Sequence, residues 1–204
     1  MSFGESNSRI LNLIYQNPGI RFNELMKKGK VSFTTAKKII DYFLGLGVIN
    51  DKKVIGGKRV VLRTFYPNFF SEDGRNVFSF VELEKKYEFF KRNKNLVGQF
   101  RQLLENINKG IRVVLVFGSF VDSSQTRDSD LDILFLYDGR IDKNKLKKEI
   151  ERSFVTFNHE VSIRIENFDG FRQNINKGIY ETIVKNHVII KGSQDFFRIF
   201  WEGG

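Results

Sequence analysis

The chain has 204 residues, 41% of them hydrophobic and 14% aromatic, and a net charge of +10 with no cysteine. That hydrophobic content excludes a wholly disordered chain, and the length suits one large domain or two small ones. The missing cysteines exclude disulfides and thiolate metal sites.

No uninterrupted apolar run of about 18 residues exists, so no helical membrane span and no membrane partner are expected. The start "MSFGESNSR" lacks the basic-then-apolar order of a secretory signal, which leaves the cytoplasm as the expected compartment. His159 and His187 are the only histidines, which weighs against a histidine zinc site. The charge is uneven. Residues 1–70 carry 12 Lys and Arg against 4 Asp and Glu, whereas residues 71–204 carry 22 against 20. Such a basic first third points to a polyanion partner, although basic faces also serve solubility.

In chain order, residues 8–17 read as a short helix capped by Ser6, Asn7 or Ser8 and stopped by Pro18-Gly19. Residues 22–28 read as a second helix. In "VSFTTAKKIIDYFLGLGVI", Ser32 is the expected N-cap, and Phe33, Ala36, Ile40 and Phe43 recur at helical spacing. The opposite face would carry Thr34, Thr35, Lys37, Lys38 and Asp41. The period then changes to two, and "VINDKKVIGGKRVVLRTFYP" reads as two strands joined at Gly56-Gly57, with Lys52, Lys53, Lys58 and Arg59 around the turn.

Three short helices followed by a basic hairpin resemble a winged helix-turn-helix domain over residues 6–68. The resemblance implies DNA as partner, read by Thr34, Thr35, Lys37 and Lys38 with Lys58 and Arg59 on the wing. The physics agrees, because a helix fits the major groove and flanking cations neutralise phosphates. A three-helix packing or dimerisation module would carry the same pattern.

Residues 69–76 form a polar break, 77–95 an amphipathic linker helix, and 96–108 a further helix whose apolar positions fit packing on a sheet. Residues 112–117 and 132–137 are near-continuous apolar runs, as expected of strands buried on both faces. A helix over 143–157, a strand over 159–168, a helix over 171–185, a strand over 187–192 and a last helix over 195–201 complete an α/β order.

The chemistry concentrates in "GSFVDSSQTRDSDLDILFLYD", residues 118–138. Gly118-Ser119 stands where a strand ends, a place that suits a phosphate. Asp130 and Asp132 lie two apart at the start of the next strand, so their carboxylates share a face. Two unpaired carboxylates there would repel each other unless a cation intervened, and Mg2+ with substrate phosphates resolves that conflict.

Gly-Ser followed by Asp-x-Asp resembles the nucleotidyltransferase signature of the DNA polymerase beta superfamily, in the spacing of its minimal members, over residues 95–192. The resemblance implies that Asp130 and Asp132 bind two Mg2+ (or Mn2+) ions and that Gly118, Ser119 and Ser129 contact an NTP, with ATP the leading candidate. It also implies a third carboxylate from a neighbouring strand, for which Glu160 is the candidate and would serve as metal ligand and general base. Glu166 and Asp169 are weaker candidates. The chain departs from the family at Asp122 and Ser123, where minimal members carry Arg and Gly.

The expected class is therefore α+β: a winged helix at residues 1–70, a linker helix at 71–94, and an α/β nucleotidyltransferase domain with a mixed sheet at 95–204. The expected function is transfer of a nucleoside monophosphate to an acceptor hydroxyl by a two-metal mechanism. A protein acceptor and a homodimer stay open. The alternative is a DNA-binding regulator or antitoxin-like protein whose second domain only senses a nucleotide.

Overall fold

The computed structural model describes residues 4–201 except 57–58, 108–109, 123 and 127, and the side chains of 55–61, 200 and 201 are also outside the description. The expected Gly57 and Lys58 of the hairpin turn, the Arg59 side chain and Ser123 therefore lie outside the described residues. The chain divides into two compact units, Met1–Val81 and Glu82–Gly204.

The first unit contains α1 (Glu5–Gln16), β1 (Ile20–Arg21), α2 (Phe22–Gly29), α3 (Phe33–Gly45), β2 (Ile49–Gly56) and β3 (Arg59–Pro67). The three strands form an antiparallel sheet in the order β1-β3-β2. α1 begins earlier than the Ser caps imply, with Gly4 at its N-cap and Glu5 paired to Arg9 one turn on. Ser32 does cap α3, its Oγ accepting the Thr35 amide at 3.1 Å. Ala36, Ile39, Ile40 and Phe43 face the core. Phe33 departs from the expected stripe: it is 61% exposed, its ring against Phe22 at 5.2 Å. At the first position of the helix it lies beyond the core that the later apolar positions reach.

α4 (Glu72–Arg92) contains the division between the units. It begins inside the expected polar break, because Ser71 Oγ accepts the Gly74 amide at 2.9 Å and Glu72 and Asp73 suit the positive end of a helix.

The second unit continues with α5 (Leu96–Asn106), β4 (Ile111–Phe117), α6 (Ser119–Asp122), β5 (Leu131–Tyr137), α7 (Lys143–Ser153), β6 (Val161–Asn167), α8 (Phe168–Asn174), α9 (Gly178–Lys185), β7 (His187–Lys191) and α10 (Ser193–Trp201). The sheet runs β6-β5-β4-β7, with β5 and β6 parallel and the other pairs antiparallel. Five of seven positions in β5, and all but Arg112 in β4, are fully buried, so both faces are covered. One face packs Val114, Val116, Ile133 and Phe135 against Leu96, Phe100 and Leu103 of α5 and Leu146 and Ile150 of α7. α8 lies against β5 and β6, and α10 against β4. The expected single helix over 171–185 is two, broken after Asn174 and restarting at Gly178, which adopts a φ of +52°.

β7 is an edge strand, and α4 covers part of it. Glu82 accepts the Ile189 amide at 3.2 Å, and Lys86 donates to the Ile190 carbonyl at 2.7 Å. Those two bonds occupy groups that would otherwise invite another strand.

Candidate active site

β4 delivers the chain to Gly118, which turns it at a φ of +75° into α6. Only glycine suits that turn, for a second reason too: a Cβ at position 118 would lie 2.4 Å from Asp132 Oδ2. The Asp132 carboxylate thus occupies the space that the missing side chain leaves. Register explains the meeting, because Phe117 pairs with Asp132 across β4 and β5.

Asp130 precedes β5 by one residue and is exposed, while Asp132 is half-buried in the strand. Neither carboxylate has a hydrogen-bond or ion-pair partner among the described residues. Ser119 opens α6 and is half-buried. Ser129 is used locally: its Oγ accepts the Thr126 amide at 2.9 Å and closes a tight turn before Asp130. Glu160 lies just before β6 rather than within it, exposed, with its carbonyl accepting the Leu131 amide at 2.8 Å. That bond sets the backbone of 160 beside the stretch entering β5.

The donor set suits a hard divalent cation, since carboxylate oxygens are the usual ligands of Mg2+ and two carboxylates stand without partners among the described residues. Asp130 and Asp132 fit such an ion together with phosphate oxygens. Among the described residues, no group of three His, Cys, Asp or Glu side chains converges to hold a metal, so Glu160 is not gathered with the two aspartates into a triad. Beside Asp132, on the same face of the parallel pair, the register places Ser162. A hydroxyl therefore stands on the strand flank where a third carboxylate would meet Asp132 most directly.

Asp122, in the stretch after Gly118 and Ser119, has its charge engaged within the loop. Its Oδ1 accepts from the Ser124 hydroxyl at 2.5 Å and from the Ser124 amide at 3.0 Å, and these bonds hold its carboxyl below the usual range. Of the weaker candidates, Glu166 accepts from the Tyr180 hydroxyl at 2.9 Å and Asp169 pairs with Arg172 at 3.2 Å. Glu166 is at the far end of β6 and Asp169 in the first turn of α8 beyond it.

Two features escaped sequence reasoning. His159 lies beside the motif, its Nδ1 3.0 Å from the Ser129 carbonyl and its ring 5.3 Å from Phe120. The second is a buried polar group: Glu82 meets Lys85 at 2.6 Å and His187 at 3.5 Å. Burial pushes the His187 imidazole down to about 4, so it is neutral at pH 7. Burial, the largest influence, opposes the Glu82 charge, but the Lys85 ammonium, His187 and the Ile189 amide together outweigh it and keep that carboxyl below its usual range. No signal in the sequence pairs residues 82 and 187.

A cavity of about 410 Å3 opens at the other end of the same sheet, lined in part by Arg112, Asp138, Asp169, Arg172, Asp195 and Arg198. Its cations are matched internally, Arg112 and Arg198 to Asp195 at 2.9 and 3.7 Å and Arg172 to Asp169. It lies at the opposite strand ends from Gly118 and Asp132.

In the first unit, Thr34, Lys37 and Lys38 are exposed on α3, and the half-buried Thr35 is engaged in the Ser32 cap. Lys37 pairs with Asp41 at 2.5 Å, while Lys38 has no acidic partner among the described residues.

Residues 99–195 match the family model described as polymerase beta, nucleotidyltransferase. The match includes Gly118, Ser119, Ser129, Asp130, Asp132 and Glu160. No curated protein matches the sequence. Among solved structures the chain is similar to a "toxin-antitoxin with AMP-PNP", at 17% identity and a TM-score of 0.36, covering 50% of this chain and 77% of that one. Among the described residues, no helix is long and apolar enough to cross a membrane.

Proposed function

We propose that the second unit is a nucleotidyltransferase, moving a nucleoside monophosphate from an NTP to an acceptor hydroxyl, and that the first unit is a winged helix-turn-helix module that binds DNA. The observation that carries the enzymatic reading is the Asp132 carboxylate seated over Gly118, without a partner among the described residues, with Asp130 two positions before it, inside the segment that matches the nucleotidyltransferase model.

Asp130 and Asp132 would hold Mg2+ or Mn2+, which would supply positive charge against the phosphates. Gly118 and Ser119 offer the close backbone approach and the hydroxyl that a triphosphate needs. The acceptor oxygen bonds to the α-phosphorus, the bond from that phosphorus to pyrophosphate breaks, and the acceptor proton passes to a carboxylate. Glu160 is the residue assigned to take it. ATP is the substrate tried first, and the acceptor is DNA, RNA or a protein.

A second reading has its own support. The absence of a three-carboxylate group among the described residues, with Ser162 beside Asp132, favours a domain that holds a nucleotide without transferring it, as a regulator or antitoxin-like protein would. The test is incubation of the full chain with each NTP labelled at the α-phosphate, Mg2+, and DNA, RNA or host protein extract. Covalent labelling that is lost in Asp130→Ala and Asp132→Ala supports transfer. Labelling retained in both variants, or none with any NTP, overturns it.

A further inference from the structure

We infer that His159 is a positioning residue that joins the separate pieces of the proposed site, an inference that rests on the nucleotidyltransferase reading. Three segments must meet for that site to work: the turn at Gly118-Ser119, the stretch carrying Asp130, and the residues around Glu160. Each is attached to the same imidazole. His159 is the covalent neighbour of Glu160. Its Nδ1 lies 3.0 Å from the Ser129 carbonyl, one residue before Asp130. Its ring meets Phe120, one residue after Ser119, edge-on at 5.3 Å and 90°.

The bond to Ser129 fixes the tautomer. A carbonyl only accepts, so Nδ1 carries the proton and donates it. Phe157 meets the same imidazole at 5.2 Å, and Phe120 and Phe157 meet each other at 6.1 Å, so the three rings form a triangle. The imidazole thus packs in the corner that two touching aromatic rings make, with its N–H aimed at the backbone that leads to Asp130. Residues 129 and 130 have no regular secondary structure of their own. Without His159, the Thr126–Ser129 turn and the bond from the Leu131 amide to the Glu160 carbonyl would remain, but no other hydrogen bond among the described residues would tie that turn to the ring cluster beside Ser119. Groups that orient ligating carboxylates from outside commonly change metal affinity by 10–100-fold when removed.

The test separates ring from hydrogen bond. His159→Phe keeps the aromatic packing and loses the donor, whereas His159→Asn places an amide N–H where Nδ1–H was. Binding of Mn2+ with each of the four NTPs in turn is followed by electron paramagnetic resonance, with thermal unfolding as a check on the fold. The expected result is about tenfold weaker Mn2+ binding in His159→Phe at unchanged Tm, with His159→Asn near wild type. Equal binding in wild type and His159→Phe overturns this inference alone, provided Asp132→Ala abolishes binding. Absence of binding in wild type with every NTP overturns the nucleotidyltransferase reading, and this inference with it.

Discussion

The Asp132 carboxylate fills the space that a side chain at Gly118 would need, with Oδ2 2.4 Å from where its Cβ would stand. Gly118→Ala therefore carries two penalties, a strained positive φ and a clash with Asp132. It should lower stability by about 1–3 kcal/mol. The clash component disappears if the carboxylate is removed first, so the same substitution should cost less in an Asp132→Ala background. Urea unfolding of the four proteins gives this coupling directly, and additive costs would show that the two residues do not compete for space.

Glu160 and Asp132 should fail in different ways. If Asp132 holds the cation as proposed, Asp132→Asn removes a ligand, so both nucleotide binding and turnover should collapse. If Glu160 takes the acceptor proton as proposed, without being gathered with the aspartates, Glu160→Gln should lower kcat by about 100-fold or more while Mn2+ binding with nucleotide holds. Weakened Mn2+ binding in Glu160→Gln would make Glu160 a ligand instead.

On α3 the two lysines are unequal. Lys37 is already paired with Asp41, and Lys38 is not paired among the described residues. If α3 enters DNA, Lys38→Ala should reduce the salt dependence of binding by about one unit of log–log slope, and Lys37→Ala by less. Fluorescence anisotropy on duplex DNA from low to moderate salt measures it. Binding indifferent to salt would return the basic face to solvent.

Acid should loosen the second unit through His187. The imidazole titrates near its ordinary value of about 6.5 when unfolded and at about 4 when buried. Because the folded value is depressed, the unfolded chain binds the extra proton between those values. Stability is full above pH 6.5 and is lost as pH falls towards 4, by an amount of order 3 kcal/mol. The depressed Glu82 carboxyl works in the same direction. Denaturant unfolding at pH 7.5 and 5 should show the loss, and His187→Asn should flatten it.

Local chemistry was legible in the sequence and long-range register was not. The apolar runs that became β4 and β5 announced their burial on both faces, and Ser32 announced a cap that its Oγ makes. Gly118 and Asp132 were each legible, but their contact follows from Phe117 pairing with Asp132 across the sheet. Register also put Ser162 beside Asp132, which no local pattern could reveal. His159 read as the first residue of a strand, because its partners Ser129 and Phe120 lie 30 and 39 positions away. Phe33 fitted the helical period and is exposed nonetheless, since periodicity gives a direction around a helix and not how far the core extends along it.

The most direct test of nucleotidyl transfer uses one NTP carrying its label at the α- or the γ-phosphate, with Mg2+ and the full chain. Transfer of a nucleoside monophosphate attaches the α-label to the acceptor and sends the γ-label out in pyrophosphate. Covalent α-label without γ-label, lost in Asp130→Ala and Asp132→Ala, is the expected result. Covalent γ-label, or labelling indifferent to both aspartates, would contradict it.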